Sequence, residues 1–280
     1  MHHRPLIRAA FRRAWRSALE RLAQPMGEEE LSRPAMVFAP HPDDETIGCG
    51  GTILLKRQRN VPVRIVFLTD GGCSHMQLIS REELGAIRAR EAVEAAKVLG
   101  VDASCLHLLG FPDRTLSEYQ EDAVVRVAAL LEEHRPPQLF VPYAVGENRD
   151  HAATCAIVHE AVRRVGRPVT VFEYAIWSWR YWPHVGRPGS LIHPRTVARN
   201  VASTGRGVLR FAGFRTTVGI QEVIERKRAA LAQHVSQVER RNGDPRWDTL
   251  RDVDDGEFLE CFFDGFELYR RIEIGSGPTS

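Results

Sequence analysis

From Ala35 onward the chain alternates short runs of β-branched and large apolar residues with stretches of helical spacing. The runs are AMVFA at 35–39, VRIVFLT at 63–69, CLHLL at 105–109, QLFVPY at 138–143 and VTVFEYAI at 169–176. Strands that are apolar on both faces need cover on both sides, and strands alternating with helices supply that cover as a parallel sheet between two helical layers. The clearest helix is predicted over 81–99, where Leu84, Ile87, Ala92, Ala95 and Leu99 share a face and Gly100 provides the stop. Ligands of such a sheet are expected beyond the carboxyl ends of its strands. After residue 176 the pattern weakens into the aromatic, turn-rich WSWRYWPHVGRPGS, and 220–240 again reads as helical.

Composition excludes several classes. The 280 residues are 43% apolar and 26% charged, and no uncharged apolar run approaches the ~18 residues a membrane span needs. Net charge is +2, but the first 24 residues hold six arginines against Glu20, so the remainder is slightly acidic and offers no nucleic-acid patch. Five scattered cysteines without a CxxC fit neither a disulfide framework nor a structural zinc cluster, which points to a reducing, cytoplasmic compartment. Residues 4–24 read as one basic amphipathic helix, with Leu6, Phe11, Trp15, Leu19 and Leu22 as its apolar stripe. That stripe is expected to pack on the domain or on a second copy in a homo-oligomer; the alternative is contact with the inner membrane surface. Residues 25–34 look like a linker, which divides the chain into a helix and linker at 1–34 and a domain at 35–280. Deletion of residues 1–24 is therefore expected to be tolerated.

The chemistry concentrates after the first of these strands. Pro40-His41-Pro42-Asp43-Asp44-Glu45 forms a turn that opens a helix. Adjacent carboxylates resist joint ionisation unless a cation or hydrogen-bond donors compensate. His41 and Asp44 supply a nitrogen and an oxygen suited to Zn²⁺, whereas an all-oxygen site would suit Ca²⁺ or Mg²⁺. A third ligand can be sought on the same rim, where Asp150 and His151 follow the strand at 138–143 and start a helix. Read singly, His-Pro-Asp is also a common turn and Asp-His a common helix start.

Beyond these two motifs, the chain resembles the LmbE-like, PIG-L family of zinc-dependent N-acetylglucosaminide de-N-acetylases. The likeness also includes Leu68-Thr69-Asp70-Gly71, Arg88 with Glu91, Leu99-Gly100, Phe111-Pro112-Asp113, Arg135-Pro136 and His234-Val235-Ser236-Gln237, spanning about residues 36 to 238 in the family's order. It implies a Rossmann-like α/β fold in a single domain, mostly parallel with helices on both faces. It further implies Zn²⁺ on His41, Asp44 and His151, with Asp43 as general base toward a metal-activated water and Asp150 orienting a neighbour. Arg88 and Asp113 match positions that hold substrate hydroxyls, although Arg88 could instead form a surface ion pair with Glu91. One departure stands out: the family commonly has His-x-Asp-His, and this chain has Asn148 in the first position. An asparagine can donate a hydrogen bond to an oxyanion but cannot deliver a proton, so proton delivery falls to His234 or back to Asp43.

The resemblance implies a hydrolase that removes an acetyl group from an N-acetylated amino sugar, free or carrier-linked. Alternatives are an amidase on a non-sugar amide such as a thiol conjugate, a catalytically silent glycan-binding relative, and a nucleotide-sugar binder using Asp43 and Asp44 for Mn²⁺. Tyr174, Trp177, Trp179, Tyr181 and Trp182 crowd the segment near the last of these strands, as a sugar-binding wall or as ordinary packing.

Overall fold

A computed structural model describes residues 14–180 and 211–275. In chain order the main elements are β1 (Gln24–Pro25), β2 (Ala35–Ala39), α1 (Asp44–Gln58), β3 (Val63–Thr69), α2 (Arg81–Leu99), β4 (Leu106–Phe111), α3 (Gln120–His134), β5 (Gln138–Pro142), α4 (Arg149–Val165), β6 (Val169–Tyr174), β7 (Thr216–Gly219), α5 (Ile224–Leu231) and β8 (Phe266–Ile274). They form a single α/β domain around one eight-stranded sheet, ordered β1-β7-β8-β6-β5-β2-β3-β4. Every pairing is parallel except those of β8, which runs antiparallel to both β6 and β7.

Alternate residues of each central strand enter different cores. Val37, Ile65, Phe67 and Phe172 face α1 and α2, whereas Met36, Phe38, Val66 and Leu139 face α3 and α4. The predicted helix over 81–99 is observed with Ser80 as its cap and Gly100 as its left-handed stop. The expected helical stretch over 220–240 is instead broken into a 3-10 turn, the short α5 and one further helical turn at Val235–Val238.

The carboxyl-terminal strand anchors the helix that begins at Asp44. Glu267 on β8 is buried and accepts the backbone N–H groups of Gly51 and Thr52 at 2.7 and 2.8 Å, while Lys227 neutralises it at 2.8 Å. Gly48 lets α1 lie against the Tyr174 ring, since a Cβ there would come within 2.3 Å of it.

The amino-terminal segment is more closely integrated than a linker reading suggests. Residues 14–22 are helical, Leu19 lies in the core at 2% exposure and Trp15 packs against it, while Leu22 is exposed. Strand β1 precedes residue 34 and pairs with β7. Leu6 and Phe11 lie outside the described residues. Among the described residues no helix is long and apolar enough to cross a membrane.

Candidate metal centre and active site

The carboxyl ends of β2, β3, β4 and β5 open onto a cleft of about 610 Å³. The turn after β2 brings His41, Asp43 and Asp44 to it, the turn after β4 brings Asp113, and the start of α4 brings Asp150 and His151 to the same edge. One potential ligand atom from each of His41, Asp44 and His151 lies within 4.8 Å of the others. The Asp44 carboxylate is 3.1 Å from His41 Nδ1 and 3.3 Å from His151 Nε2. His151 is fully buried, and although Nε2 lies 3.3 Å from Asp44 and Nδ1 3.7 Å from Glu147, neither ring nitrogen makes a well-aligned hydrogen bond. A buried polar atom without a well-aligned hydrogen bond is costly, and a divalent cation is the partner this nitrogen and oxygen set fits.

The surrounding groups orient these donors. His41 Nε2 lies 3.2 Å from both Asp113 and Asp150, so Nε2 carries a proton, and in the neutral imidazole the Nδ1 lone pair is left for a metal. Asp150 also accepts the backbone N–H groups of Arg114 at 2.6 Å and Leu116 at 3.3 Å, and Asp113 accepts that of Cys73 at 2.8 Å. Burial disfavours the charged imidazole of His41, but Asp113, Asp150 and Asp44 outweigh it and raise the pKa well above the ordinary 6.5. Burial likewise opposes ionisation of Asp44, yet His151 and His41 hold it below the usual carboxylate range. This acidic nest therefore calls for positive charge.

Asp43 differs from its neighbour. Burial pushes its pKa up to about 6 against the pull of Arg88, with Asp44 adding repulsion. Its φ of 136° lies where L-residues are strained, and its backbone N–H is held by Glu45 at 3.0 Å. Arg88 is buried, contacts the Asp43 carboxylate at 3.1 Å, and bonds the Gly71 carbonyl at 2.8 Å and that of Pro42. A Cβ on Gly71 would sit 2.8 Å from this guanidinium, so glycine is required there. The alternative pairing of Arg88 with Glu91 does not occur; Glu91 instead accepts the N–H and hydroxyl of Ser236, both at 2.7 Å.

The two residues considered for proton delivery are placed differently. Asn148 caps α4, its side-chain oxygen accepting the His151 N–H at 3.0 Å, and it lines the cleft. His234 is buried behind the metal-side turn, 3.1 Å from Glu45, and is not part of the cleft wall, where Gln237 appears instead. Of the aromatic cluster, Tyr174 and Trp179 are core residues, whereas Trp177 stacks on Phe258 and lines the cleft with it. Tyr181 and Trp182 lie outside the described residues.

Sequence reasoning assigned no role to two acids that matter here. Glu45 fixes the Asp43 backbone and meets His234. Glu147 lies 3.7 Å from His151 Nδ1 and accepts the backbone N–H groups of Trp177 and Ser178 at 2.7 and 2.9 Å, joining His151 to the segment that carries Trp177. Its position four residues before His151 was the available signal. Among the described residues, Cys155, His159 and Glu173 also converge, but Arg270 holds Glu173 at 3.0 Å and burial together with Glu173 pushes the Cys155 thiol far up, against thiolate formation.

Comparisons with known proteins give the chain a family. The PIG-L family, described as GlcNAc-PI de-N-acetylase, matches residues 36–162. A probable N-acetyl-alpha-D-glucosaminyl L-malate deacetylase 2 of Bacillus anthracis is 34% identical over 150 residues, covering 51% of this chain and 66% of the relative. The corresponding Bacillus cereus protein is 30% identical over 216 residues, covering 75% of this chain and 86% of that protein. The fold is shared with N,N'-diacetylchitobiose deacetylase from Pyrococcus horikoshii, with a TM-score of 0.57 and 22% identity over 94% of this chain and 92% of that one. The chain belongs to the PIG-L family of de-N-acetylases, hydrolases of N-acetyl amide bonds.

Proposed function

We propose that this protein is a zinc-dependent hydrolase that removes the acetyl group from an N-acetylated amino sugar, free or within a glycoconjugate. The observation that carries the reading is the convergence of His41, Asp44 and the unsatisfied His151 on a cleft large enough for a saccharide. The named activities of the Bacillus relatives on N-acetylglucosaminyl compounds support the substrate class. The five unpaired cysteines fit a reducing, cytoplasmic setting.

His41, Asp44 and His151 would hold the metal, which supplies Lewis-acid polarisation of the amide carbonyl and lowers the pKa of a water. Asp43, with its raised pKa and its carboxylate oriented by Arg88, takes the proton of the attacking water as general base. Asn148 has its side-chain oxygen engaged by His151, so its amide N–H groups are left to donate to the oxyanion that develops on the carbonyl. His234 faces Glu45, which makes Asp43 the better placed group to return the proton to the leaving amine. Trp177 and Phe258 offer an apolar face to a sugar ring.

Metal analysis combined with acetate release from a panel of N-acetylated saccharides and simple amides tests this reading. The expected result is about one zinc per chain, turnover of the saccharides, and loss of turnover by roughly 10²-fold or more in Asp43→Asn with the metal retained. Full zinc content with no acetate from any sugar, or acetate only from non-sugar amides, would overturn it.

A further inference from the structure

Three metal-ligating side chains meet at a second place in the fold. Cys155 and His159 stand four residues apart on α4 and so share one face of it, and Glu173 meets them from β6. None of the three lines the cleft. The Cys155 thiol donates to Glu173 Oε1 at 3.5 Å, His159 Nε2 lies 3.0 Å from the same oxygen, and one donor atom from each residue lies within 4.8 Å of the others. Zinc bonds of about 2.0–2.3 Å at tetrahedral angles hold ligand atoms roughly 3.3–3.6 Å apart, so side-chain adjustment alone closes this set on a cation.

The neighbours prepare it. Arg270 stands directly across from Glu173 in the antiparallel pair of β6 and β8 and takes its other oxygen, Oε2, at 3.0 Å. That contact fixes the carboxylate and leaves Oε1 turned toward α4. Cys155 and Glu173 are buried, whereas the His159 side chain is 30% exposed and gives a cation its way in. Burial and Glu173 keep the proton on the thiol while the site is empty, although Arg270 and the Ala144 N–H pull toward the thiolate. A coordinated cation displaces that proton outright, and one thiolate with one carboxylate then balances its two charges.

We propose that Cys155, His159 and Glu173 form a second metal site, separate from the cleft, for zinc or another thiophilic divalent cation. The sulfur and imidazole donors select against magnesium and calcium, which take oxygen. Three chain ligands leave a fourth position to water on the His159 side. A bound cation ties the middle of α4 to β6, and α4 is the helix whose first turn carries His151. The inference stands independently of the hydrolase reading.

The test titrates cobalt(II) into the full-length protein after removal of metal by a chelator, with the cysteines kept reduced by a phosphine. Thiolate bound to cobalt absorbs strongly in the near ultraviolet, and His41, Asp44 and His151 contain no sulfur, so only the second site is read in that band. The native protein is expected to develop the thiolate band and to take up about two cobalt ions per chain, with zinc abolishing the band as it displaces cobalt. Cys155→Ser should remove the band, and His159→Asn should weaken the binding behind it by about 10- to 100-fold or more. His159 is partly exposed, so its variant decides the matter if Cys155→Ser does not fold. His151→Ala should keep the band, and a single cobalt ion that carries it would leave this site standing while the cleft lost its metal. A cobalt-saturated native protein without the band, a band that survives Cys155→Ser, or unchanged affinity in His159→Asn would overturn the proposal.

Discussion

Glu45 accepts the backbone N–H of Asp43 at 3.0 Å, and Asp43 is the residue of the active-site turn whose φ, 136°, is strained. The other carboxylate oxygen of Glu45 meets Thr46 and the buried His234. A chain of contacts thus runs from His234 through Glu45 to the peptide N–H of Asp43, the proposed general base, with Arg88 gripping the Asp43 carboxylate from the other side. Such strain, of order 1–3 kcal/mol, persists only where the surroundings over-determine it.

Removing that hold should misplace the base. Glu45→Ala is expected to lower kcat by about 10- to 100-fold with little change in metal content, because small misalignments of a reacting group have effects of this size. Glu45→Gln keeps an oxygen able to accept the Asp43 N–H and should recover part of the loss. Measured kcat beside metal content decides: loss of zinc in step with activity would mean that Glu45 supports the ligands rather than the base.

The metal prediction centres on Glu147 and His151. His151→Ala should empty the site. Glu147→Gln weakens the partner of His151 Nδ1 and should lower zinc affinity by about 10- to 100-fold, read by competition with a chromogenic chelator. An unchanged affinity in Glu147→Gln would confine Glu147 to holding the Trp177 segment.

Much of this site was legible because its donors lie in short motifs at strand ends: His41 through Glu45 in one turn, Asp150 and His151 in another. What escaped depends on contacts distant in sequence or made through backbone. Glu45 stood in the motif, but its bond to a peptide N–H has no residue pattern. Arg88 and Glu91 sit at a spacing that invites a helix-surface pair, yet Arg88 is drawn inward by Asp43 and the carbonyls of Pro42 and Gly71. The same limit applies to the sheet. The five apolar runs correspond to β2 through β6 with shifts of at most two residues at their ends. Strand β8 was not anticipated, because Glu267, Arg270 and Arg271 interrupt its apolar character. Their contacts with Lys227, Glu173 and Glu30 appear only once the chain is folded.

His234 gives stability a pH dependence. Burial disfavours its charged form, but attraction and hydrogen bonding to Glu45 prevail and raise its pKa above the ordinary 6.5. A histidine with a raised folded pKa contributes stability that is fully present below its unfolded pKa and is lost as pH rises through the folded value. The destabilisation caused by His234→Asn should therefore be largest near pH 6 and shrink toward pH 9, as measured by thermal unfolding. A destabilisation that grew with pH would show that the neutral imidazole makes the stabilising contact.

Deletion of residues 1–24 now carries a different expectation from the one the sequence invited. Leu19 is in the core, buried Arg16 bonds the Cys261 carbonyl at 2.9 Å and pairs with Asp264 at 2.6 Å, and β1 begins at Gln24. Leu19→Ala alone should cost about 2–5 kcal/mol, and the truncated chain should melt earlier or fail to remain soluble. A truncated protein with the native Tm would show that these contacts add nothing to the domain.

Asn148 holds two roles that substitution can separate. Its side-chain oxygen caps α4 at the N–H of His151, and its remaining amide donors line the cleft. Asn148→Ala removes both and should cost about 0.5–2 kcal/mol of stability as well as turnover. Asn148→Asp keeps an equally good cap but replaces the donor with a carboxylate that would repel a developing oxyanion. If Asn148 steadies that charge, Asn148→Asp should retain the native Tm and still lose about 10²- to 10³-fold in kcat, the scale of one oxyanion donor. Were both variants to lose activity only in proportion to their loss of stability or zinc, the asparagine would be a helix cap that places His151 and nothing more.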